Sequence, residues 1–241
     1  MKILTWNCNG AFRKKFRKVA AEFNADIYVI QECENPVTVK ERDFKDWAQN
    51  FLWTGDPAHK GLGIFAKNNK ITINRLAWDS QDLEHFIACR VNNDFNLLGT
   101  WCHGASSPTY AYIGQLWKYL QVHKARLNKS IIAGDFNSNT IWDKRDRKWN
   151  HSVVVKELGE YRIESLYHMY FRERQGAENQ PTFYLQKNLS KAYHIDYIFA
   201  SDEFCETLKA VNVGQSDKWL ALSDHMPVIC EFRTKHGRRQ K

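Results

Sequence analysis

The N-terminal part of the chain alternates apolar runs with polar turns. Residues 2–6 form a short apolar run that stops at the polar segment 7–10, which predicts a strand ending in a turn. Apolar residues then recur at helical spacing between residues 12 and 23, so a helix follows. Residues 27–30 are continuously apolar, as in strands buried on both faces, and lead directly into Gln31 and Glu32. The pattern therefore places a carboxylate at the exit of a buried strand.

The remaining pattern predicts further strands and two further helices. Strands are expected at residues 62–66, 86–91, 95–101, 130–133, 182–185, 195–200 and 228–232, and helices over residues 113–120 and 153–158. Residues 78–84 are typical of a connecting loop. Alternating strands and helices, with most strands buried, indicate an α/β fold in which sheet layers are covered by helices.

Length and composition limit the domain organisation. A chain of 241 residues with 43% hydrophobic residues can bury one sizeable core, and no linker composition interrupts it. We therefore expect one domain over residues 1–234. Residues 235–241 are strongly basic and are predicted to form a disordered tail.

The charge and the cysteines bear on partners and compartment. The chain carries 35 Lys plus Arg against 27 Asp plus Glu, a net charge of +8, which favours polyanions such as nucleic acid or an anionic membrane face. Its six cysteines contain no C-x-x-C pair and lie mostly in apolar runs, as small buried hydrophobes do in a reducing compartment. No apolar run approaches the ~20 residues that span a bilayer. We expect a cytoplasmic protein with no membrane partner.

Polar residues stand where the apolar strands end. They are Asn7, Glu32, His103, Asp135, Asn137, Asp196, Asp224 and His225. In open α/β sheets the ligand crevice lies beyond the strand ends, so residues distant in sequence can converge there. Each residue alone also has an ordinary explanation as a turn former, a loop cap or a hydrogen-bonded core histidine. Their joint position at strand ends favours one shared site.

Such a site requires a cation. Carboxylates gathered at buried strand ends repel one another and lose hydration unless a positive charge neutralises them. The available donors are hard oxygens from Asn, Asp and Glu, and no Cys/His cluster has zinc spacing, so Mg²⁺ is expected, with Mn²⁺ as a substitute. Mg²⁺ held by a few carboxylates commonly serves phosphate chemistry.

Five short motifs occur in a characteristic order and span nearly the whole chain. They are Thr5-Trp6-Asn7-Cys8-Asn9-Gly10, Ile30-Gln31-Glu32, Gly134-Asp135-Phe136-Asn137, His194-Ile195-Asp196-Tyr197 and Ser223-Asp224-His225-Met226-Pro227. Together they resemble the endonuclease/exonuclease/phosphatase superfamily, in particular exonuclease III-like and deoxyribonuclease-like enzymes of bacterial single-domain type. The resemblance implies an α/β fold that is a four-layered sandwich, with two packed mixed β-sheets flanked by helices.

The resemblance also implies roles for the site residues. Glu32 would be the principal metal ligand, with Asn7 beside it and Asp224 completing the metal site. Asp135 and Asn137 would orient the attacking water and the scissile phosphate, and Asp135 is a candidate base. The imidazole of His225 would contact a phosphate oxygen and be oriented by Asp196, in the way that a buried carboxylate selects one tautomer of a histidine.

His103 is a candidate for the group that protonates the leaving oxygen. The deoxyribonuclease, deadenylase and sphingomyelinase branches carry a histidine at this point, whereas apurinic endonucleases carry a nearby tyrosine. Trp101 stands at the corresponding position here and has no phenolic proton, which weakens the prediction of abasic-site cleavage. The resemblance thus favours a pair of His103 with His225 as acid and base. A core histidine remains the alternative for His103, because its flanks are apolar.

Further residues are candidates for substrate binding. They are Asn9, Arg13, Lys14, Trp142 and His151. Arg13 and Lys14 follow the turn after the first strand, where they could face phosphates. Trp142 stands among Lys and Arg residues just after the Asp135 turn, where an aromatic ring could stack on a nucleobase. A solvated helix face and ordinary core packing are the alternatives.

The sequence therefore predicts a Mg²⁺-dependent phosphodiesterase, an enzyme that hydrolyses nucleic acid. DNA is favoured over RNA, with endonucleolytic or 3′-exonucleolytic attack, and the protein is expected to be a monomer. The first alternative is a phosphatase or a lipid or small-molecule phosphodiesterase of the same superfamily. The second is a binding module without activity, which the retained carboxylates disfavour because a dead site has no physical need for them.

Overall fold

A computed structural model of the chain describes residues 1–56, 60–104 and 109–233. Its strands are β1 (Lys2–Asn7), β2 (Ile27–Cys33), β3 (Phe51–Gly55), β4 (Gly61–Ala66), β5 (Ile73–Arg75), β6 (Phe86–Val91), β7 (Phe95–Trp101), β8 (Ser130–Asp135), β9 (Ile163–Ser165), β10 (Phe183–Tyr184), β11 (Ala192–Tyr193), β12 (Asp196–Ser201), β13 (Leu208–Val213) and β14 (Val228–Phe232). Its α-helices are α1 (Phe16–Phe23), α2 (Arg42–Trp47), α3 (Ile113–His123), α4 (His151–Glu160), α5 (Leu166–Phe171), α6 (Asp202–Cys205) and α7 (Ser216–Trp219).

The strands form two mixed six-stranded sheets and a small hairpin. The first sheet has the order β13-β14-β1-β2-β4-β3, and the second has the order β5-β6-β7-β8-β12-β9. Each sheet contains one parallel pair, β1 with β2 and β7 with β8, while its other pairs are antiparallel. Strands β10 and β11 form a small hairpin, and Phe183 of β10 also makes an antiparallel bridge to His225.

The two sheets pack face to face. Gly99 of β7 lies so close to the first sheet that a Cβ atom there would meet Ile64 and Val29 at 3.1 Å. On β8, Ile131 and Ala133 belong to the core shared with the first sheet, whereas Ile132 packs in a second core beneath α3 and α4. This alternation follows from the two-residue period of a strand. It also means that every second side chain of β8 points between the sheets.

Helices cover both outer faces. On the first sheet, Trp6 packs against Trp219 of α7 and Tyr28 packs against Trp47 of α2, with ring centroids 5.3 and 5.4 Å apart. On the second sheet, Leu116 of α3 and Leu158 of α4 are fully buried in the outer core. The predicted four-layered α/β sandwich of two packed mixed sheets with flanking helices is confirmed.

Most predicted elements occur where the pattern places them, with shifted boundaries. The predicted helix over residues 12–23 begins as a 3₁₀ turn, Phe12–Lys14, before α1. The strand predicted at residues 182–185 is reduced to the two residues of β10, because Leu185–Lys187 turns immediately afterwards. Residues 78–84 have no helix or strand, as predicted. The pattern did not predict the edge strands β3 and β13 of the first sheet, the edge strands β5 and β9 of the second sheet, or the two-residue strand β11.

Three further predictions concern the cysteines, the C-terminal tail and the membrane. All six cysteines are free thiols, and all but Cys205 are buried. Residues 235–241, predicted as a disordered tail, lie outside the described residues. Within the described ranges, no helix is long and apolar enough to cross a membrane.

Candidate active site

The ends of three strands meet at one edge of the sandwich. Asn7 ends β1 and Asp135 ends β8, while Asp196 begins β12 directly opposite Asp135 in the antiparallel register. Asp135 and Asp196 lie in step with the inward-pointing residues of their strands, so their side chains enter the space between the sheets. Both carboxylates are fully buried.

Asn7 connects the two sheets. Its Nδ2 donates to Glu32 Oε1 at 3.1 Å and to Asp135 Oδ2 at 3.0 Å. Its Oδ1 accepts the backbone N–H of Asn9 at 3.1 Å, which closes the turn after β1. One amide thus holds a carboxylate from each sheet, with its own side chain buried.

A backbone irregularity directs Glu32 toward the same point. Simple alternation along β2 would place Glu32 on the face of Tyr28, which is covered by α2. Instead, the β2–β4 register shifts between Ile30 and Cys33, and Glu32 has a left-handed φ of 59°. A bulge of this kind redirects a side chain. The other Glu32 oxygen, Oε2, accepts from Lys60 Nζ at 2.5 Å.

Asp135 is held by several donors. Besides Asn7, the backbone N–H of Asn137 donates to Asp135 Oδ1 at 2.8 Å, and the Asn137 side chain donates to Oδ2 at 2.9 Å. Asn137 Nδ2 also reaches the carbonyl of Cys102 at 2.9 Å. Burial raises the pKa of Asp135, and the negative charge of Asp196 raises it further. The carboxylate is therefore fixed in orientation, and a nearby cation would stabilise its charged form.

His225 and Asp196 form a buried pair. His225 Nδ1 lies 3.0 and 3.2 Å from the two oxygens of Asp196, and the Phe183 ring packs against the imidazole at 4.6 Å. Although burial lowers the pKa of His225, the charges of Asp196 and Asp135 outweigh this effect and raise it to about 9. Because Nδ1 is engaged with Asp196, Nε2 is the nitrogen that can meet a phosphate oxygen.

The loop that carries His225 also positions Asp224. Ser223 Oγ donates to the Asn7 carbonyl at 2.7 Å, and the Asn9 side chain donates to Asp224 Oδ1 at 3.1 Å. The Asp224 carbonyl in turn accepts from the Tyr184 N–H at 2.8 Å. Asp224 therefore stands beside the turn after β1, close to the other acidic residues.

His103 lies beside this cluster and is tied to it through the backbone. The residue before it, Cys102, accepts from Asn137 as described. Burial lowers the pKa of His103, and the negative charges of Glu84 and Glu32 offset this only in part. His103 Nε2 lies 2.7 Å from Nδ1 of His85, a residue that sequence reasoning did not single out. The His103 side chain is 17% exposed, which does not fit a fully buried core histidine.

The candidate substrate-binding residues are arranged less uniformly. Lys14 is exposed, but the Arg13 guanidinium binds Glu34 and Glu41, so its charge is already partnered. Trp142 is 44% exposed and His151 only 1%, and both line a cavity of about 250 Å³ that reaches Asn137. The cavity, and not the open surface, is the route by which a ligand could reach His151.

The chain was compared with models of known protein families and with curated proteins. The family model described as Endonuclease/Exonuclease/phosphatase family matches residues 4–225, which include all of the converging strand ends. The chain belongs to this family. It is accordingly a hydrolase acting on phosphoester bonds. A comparison with curated proteins finds no match.

Solved structures share the fold across almost the whole chain. A 3′ phosphatase from Neisseria, bound to a product DNA hairpin, is 20% identical with a TM-score of 0.72, and 97% of this chain and 100% of that chain are covered. A 3′-5′ exonuclease from Neisseria meningitidis is 21% identical, with a TM-score of 0.69 and the same coverage of 97% and 100%. An AP endonuclease from Archaeoglobus fulgidus is 20% identical, with a TM-score of 0.70 and again 97% and 100% coverage.

Members of the endonuclease/exonuclease/phosphatase family depend on divalent metal ions, and the donors here suit such an ion. The site gathers carboxylate oxygens and amides without a thiolate, which is the hard-oxygen set that Mg²⁺ prefers. The ammonium of Lys60 on Glu32 shows that this carboxylate attracts a cation. Among the described residues, Asp135, Asp196 and His225 also have ligand atoms within 4.8 Å of one another. Asn7 presents Nδ2 to Glu32, so it would need its Oδ1 turned inward to act as a ligand.

Lys15 supports the active site of this family member in a way that the sequence did not indicate. Its Nζ donates to the Cys8 carbonyl at 2.6 Å and to the Leu222 carbonyl at 2.7 Å. These carbonyls flank the Asn7 turn and the loop that carries Asp224. One ammonium therefore joins the two segments.

We expect Lys15→Met to lower the free energy of unfolding by roughly 1.5–3 kcal/mol, the usual contribution of a hydrogen bond to a charged group. Metal-dependent activity should fall as the two segments separate. Chemical denaturation and steady-state kinetics measure both effects. Lys40→Met, at an exposed position outside the proposed binding residues, is the control for the loss of one charge. Unchanged stability in Lys15→Met would contradict the bridging role.

Proposed function

We propose that the chain is a Mg²⁺-dependent nuclease that hydrolyses phosphodiester bonds of DNA. The observation that carries the proposal is the convergence of Glu32, Asp135 and the Asp196–His225 pair around Asn7. A net charge of +8 supports a polyanionic substrate. The Neisseria structure with a DNA hairpin, which shares this fold, supports DNA over RNA.

In this proposal Glu32 and Asp224, with Asn7, hold the Mg²⁺ ion. When bound, the ion supplies charge neutralisation for the phosphoryl oxygens and the leaving group. Mn²⁺ is expected to substitute for it because it accepts the same oxygen donors.

The remaining residues act on the water and the phosphate. A water molecule attacks phosphorus, the P–O bond to the leaving group breaks, and Asp135 accepts the proton of the water, oriented by Asn137. His225, charged because of Asp196, donates from Nε2 to a non-bridging phosphate oxygen. His103 gives a proton to the leaving oxygen and returns to the neutral imidazole. Asn9, Lys14, Trp142 and the cavity containing His151 bind the flanking nucleotides.

The decisive experiment is a substrate survey of the purified full chain. We expect cleavage of plasmid, linear duplex or single-stranded DNA with Mg²⁺ or Mn²⁺ and no cleavage in EDTA. Nicking of plasmid would identify an endonuclease, and loss from labelled 3′ ends an exonuclease. If no nucleic acid is cleaved but phosphate is released from 3′-phosphorylated DNA or small phosphate esters, the phosphatase alternative replaces the nuclease proposal.

We also propose the domain organisation, the location and the oligomeric state of the protein. One core cluster draws residues from both sheets, which supports a single domain over residues 1–234. The free thiols support a reducing, cytoplasmic location. A monomer is proposed, and light scattering of the purified chain tests it.

A further inference from the structure

We propose that Lys60 is an exchangeable counter-ion of the metal site, which leaves Glu32 when a divalent ion binds there and then contacts a phosphate of the substrate. The inference rests on the proposed function, in which Glu32 is the principal metal ligand. Lys60 directly precedes β4, whose first residue, Gly61, pairs with Cys33 at the end of β2. Its side chain therefore starts from the edge of the sandwich at which the acidic residues lie.

The Lys60 ammonium lies among the groups that would hold the ion. Its Nζ donates to Glu32 Oε2 at 2.5 Å and to Asn9 Oδ1 at 3.5 Å. The other end of the same amide, Asn9 Nδ2, donates to Asp224 Oδ1 at 3.1 Å. The ammonium thus contacts one proposed metal ligand directly and is linked to a second through Asn9.

Lys60 and a divalent ion compete for the same carboxylate. Glu32 Oε1 is used by Asn7 and Oε2 by Lys60, so an ion that binds Glu32 comes close to the ammonium. Two positive charges about 4 Å apart repel each other by several times the thermal energy at the effective dielectric constant near a protein surface. Glu32 is only 21% exposed, so water screens this repulsion incompletely. The ammonium must therefore move when the ion binds.

The backbone of Lys60 is held in place, whereas its side chain has room to move. The His85 ring donates a hydrogen bond to the Lys60 backbone, and β4 begins at the next residue. The side chain is 46% exposed and passes over Gly10, where an added Cβ atom would lie 3.0 Å from Lys60 Cε. Gly10 has a φ of 73°, which glycine adopts readily, so no side chain narrows this path. The ammonium can leave Glu32 without a movement of the backbone.

The other cations near the site are held by groups that the ion does not need. Lys15 donates to two backbone carbonyls, and Arg13 binds two carboxylates outside the acidic cluster. Within the described ranges, Lys60 alone forms an ion pair with Glu32, and no Lys or Arg forms one with Asp224. Lys60 is thus the cation whose removal should change the metal affinity.

After the exchange, the ammonium can bind a phosphate. In the proposed reaction a phosphate lies beside Glu32, and a lysine ammonium is a flexible point charge that suits phosphate oxygens. Lys60 would then replace its contact with Glu32 by one with the substrate. Because DNA offers Lys60 this second partner, metal and DNA should each bind more tightly in the presence of the other.

A permanent ion pair that orients Glu32 is the competing interpretation. The bulge in β2 and the hydrogen bond from Asn7 already direct the Glu32 side chain, so Lys60 is not needed for its orientation. The two interpretations predict opposite effects. Removal of an orienting lysine would weaken metal binding, whereas removal of a competing lysine strengthens it.

The first test measures metal binding by the full chain without DNA. Lys60→Met keeps the length of the side chain and removes its charge, and electron paramagnetic resonance measures the free Mn²⁺ during a titration. We expect the Kd for Mn²⁺ to fall by roughly 2–5-fold, because binding no longer breaks a partly exposed ion pair. Lys60→Arg should stay near the wild type, as should Lys70→Met at an exposed position beyond the opposite end of β4. An unchanged or higher Kd in Lys60→Met would overturn the proposal.

The second test measures the contact with the substrate. Lys60→Met should raise KM for DNA while it lowers the Kd for the metal, a pair of opposite changes that a loss of structure does not produce. The slope of log KM against log salt concentration should fall by about 0.7–0.9, the value for one phosphate contact. An unchanged KM and slope would show that Lys60 does not reach the phosphate.

The reactivity of Lys60 separates the inference from the proposed function. Addition of Mg²⁺ should make acetylation of Lys60 by acetic anhydride roughly 2–5-fold faster by mass spectrometry, because the ammonium leaves its ion pair, and Lys70 should not change. Faster acetylation in a protein that cleaves no phosphoester would refute the nuclease proposal and leave the exchange intact. Thermal stabilisation by Mg²⁺ without a change at Lys60 would overturn the exchange, and no stabilisation at all would refute the metal site and the exchange together.

Discussion

Glu32→Gln should reduce metal-dependent cleavage by about 10³-fold or more while leaving the fold in place. The amide can still accept from Asn7 Nδ2 through Oε1, so the link between the sheets survives. What is lost is the negative charge, and a neutral oxygen is a poor ligand for a hard dication. A bound metal ion stabilises the transition state by several kcal/mol. At about 1.4 kcal/mol per tenfold change in rate, losing this stabilisation corresponds to the expected reduction in cleavage.

The variant is measured by kinetics and by metal-induced stabilisation. Mg²⁺ at about 100 times its Kd should stabilise the wild type by about 2.7 kcal/mol, and this gain should be small in Glu32→Gln. Lys60 also loses its partner, but it is 46% exposed and water can solvate it. Glu22→Gln, on an exposed residue paired with Lys218 at 3.0 Å, is the matched control and should behave as wild type. Full activity in Glu32→Gln would refute the metal assignment.

The two-residue period of strands explains how far sequence reasoning could reach. Alternation places Asn7, Asp135 and Asp196 on the inner faces of their strands, and their position at strand ends follows from the apolar runs. The convergence of these residues was therefore predictable. Glu32 is different, because only the bulge in β2 brings it to the inner side, and a bulge leaves no mark in the hydrophobic pattern.

Residues that act through long-range contacts escaped the pattern for a related reason. The carbonyl of Leu222 that Lys15 binds is 207 residues away in sequence, and the Lys60–Glu32 pair joins positions 28 apart. Periodicity reports only what faces a core, and a lysine on a loop carries no such signal. His85 escaped because an isolated histidine before a strand is ordinary until its partner is seen across the hairpin.

The missed strands have a physical explanation as well. Strand β3 is partly buried at every position, and β13 alternates irregularly between buried and exposed residues. Both lie at the edges of the first sheet, where one side meets solvent and selection for apolar residues is weak. Their sequences therefore resemble loops. The buried central strands were predicted because burial on both faces demands continuous apolar runs.

Asp196→Asn should lower kcat by about 10²–10³-fold, the usual cost of removing one charged donor from a transition state. Asp196 is fully buried against His225, and its charge, with that of Asp135, keeps the imidazole protonated despite burial. The neutral amide cannot support that charge, and its NH₂ group can donate to Nδ1 and shift the proton away from it. His225 would then meet the phosphate without a cationic N–H, so turnover falls and KM changes little.

The control variant for Asp196→Asn changes a residue next to the same strand, β12. Asp202→Asn makes the identical change just beyond the opposite end of β12, where Asp202 pairs with Arg162 at the surface, and it should leave kcat unchanged. Adding His225→Asn to Asp196→Asn should cost little more, because the two residues act as one unit. A loss that tracks unfolding of the Asp196→Asn variant, or a large further loss in the double variant, would show that Asp196 supports the fold and does not charge the catalytic imidazole.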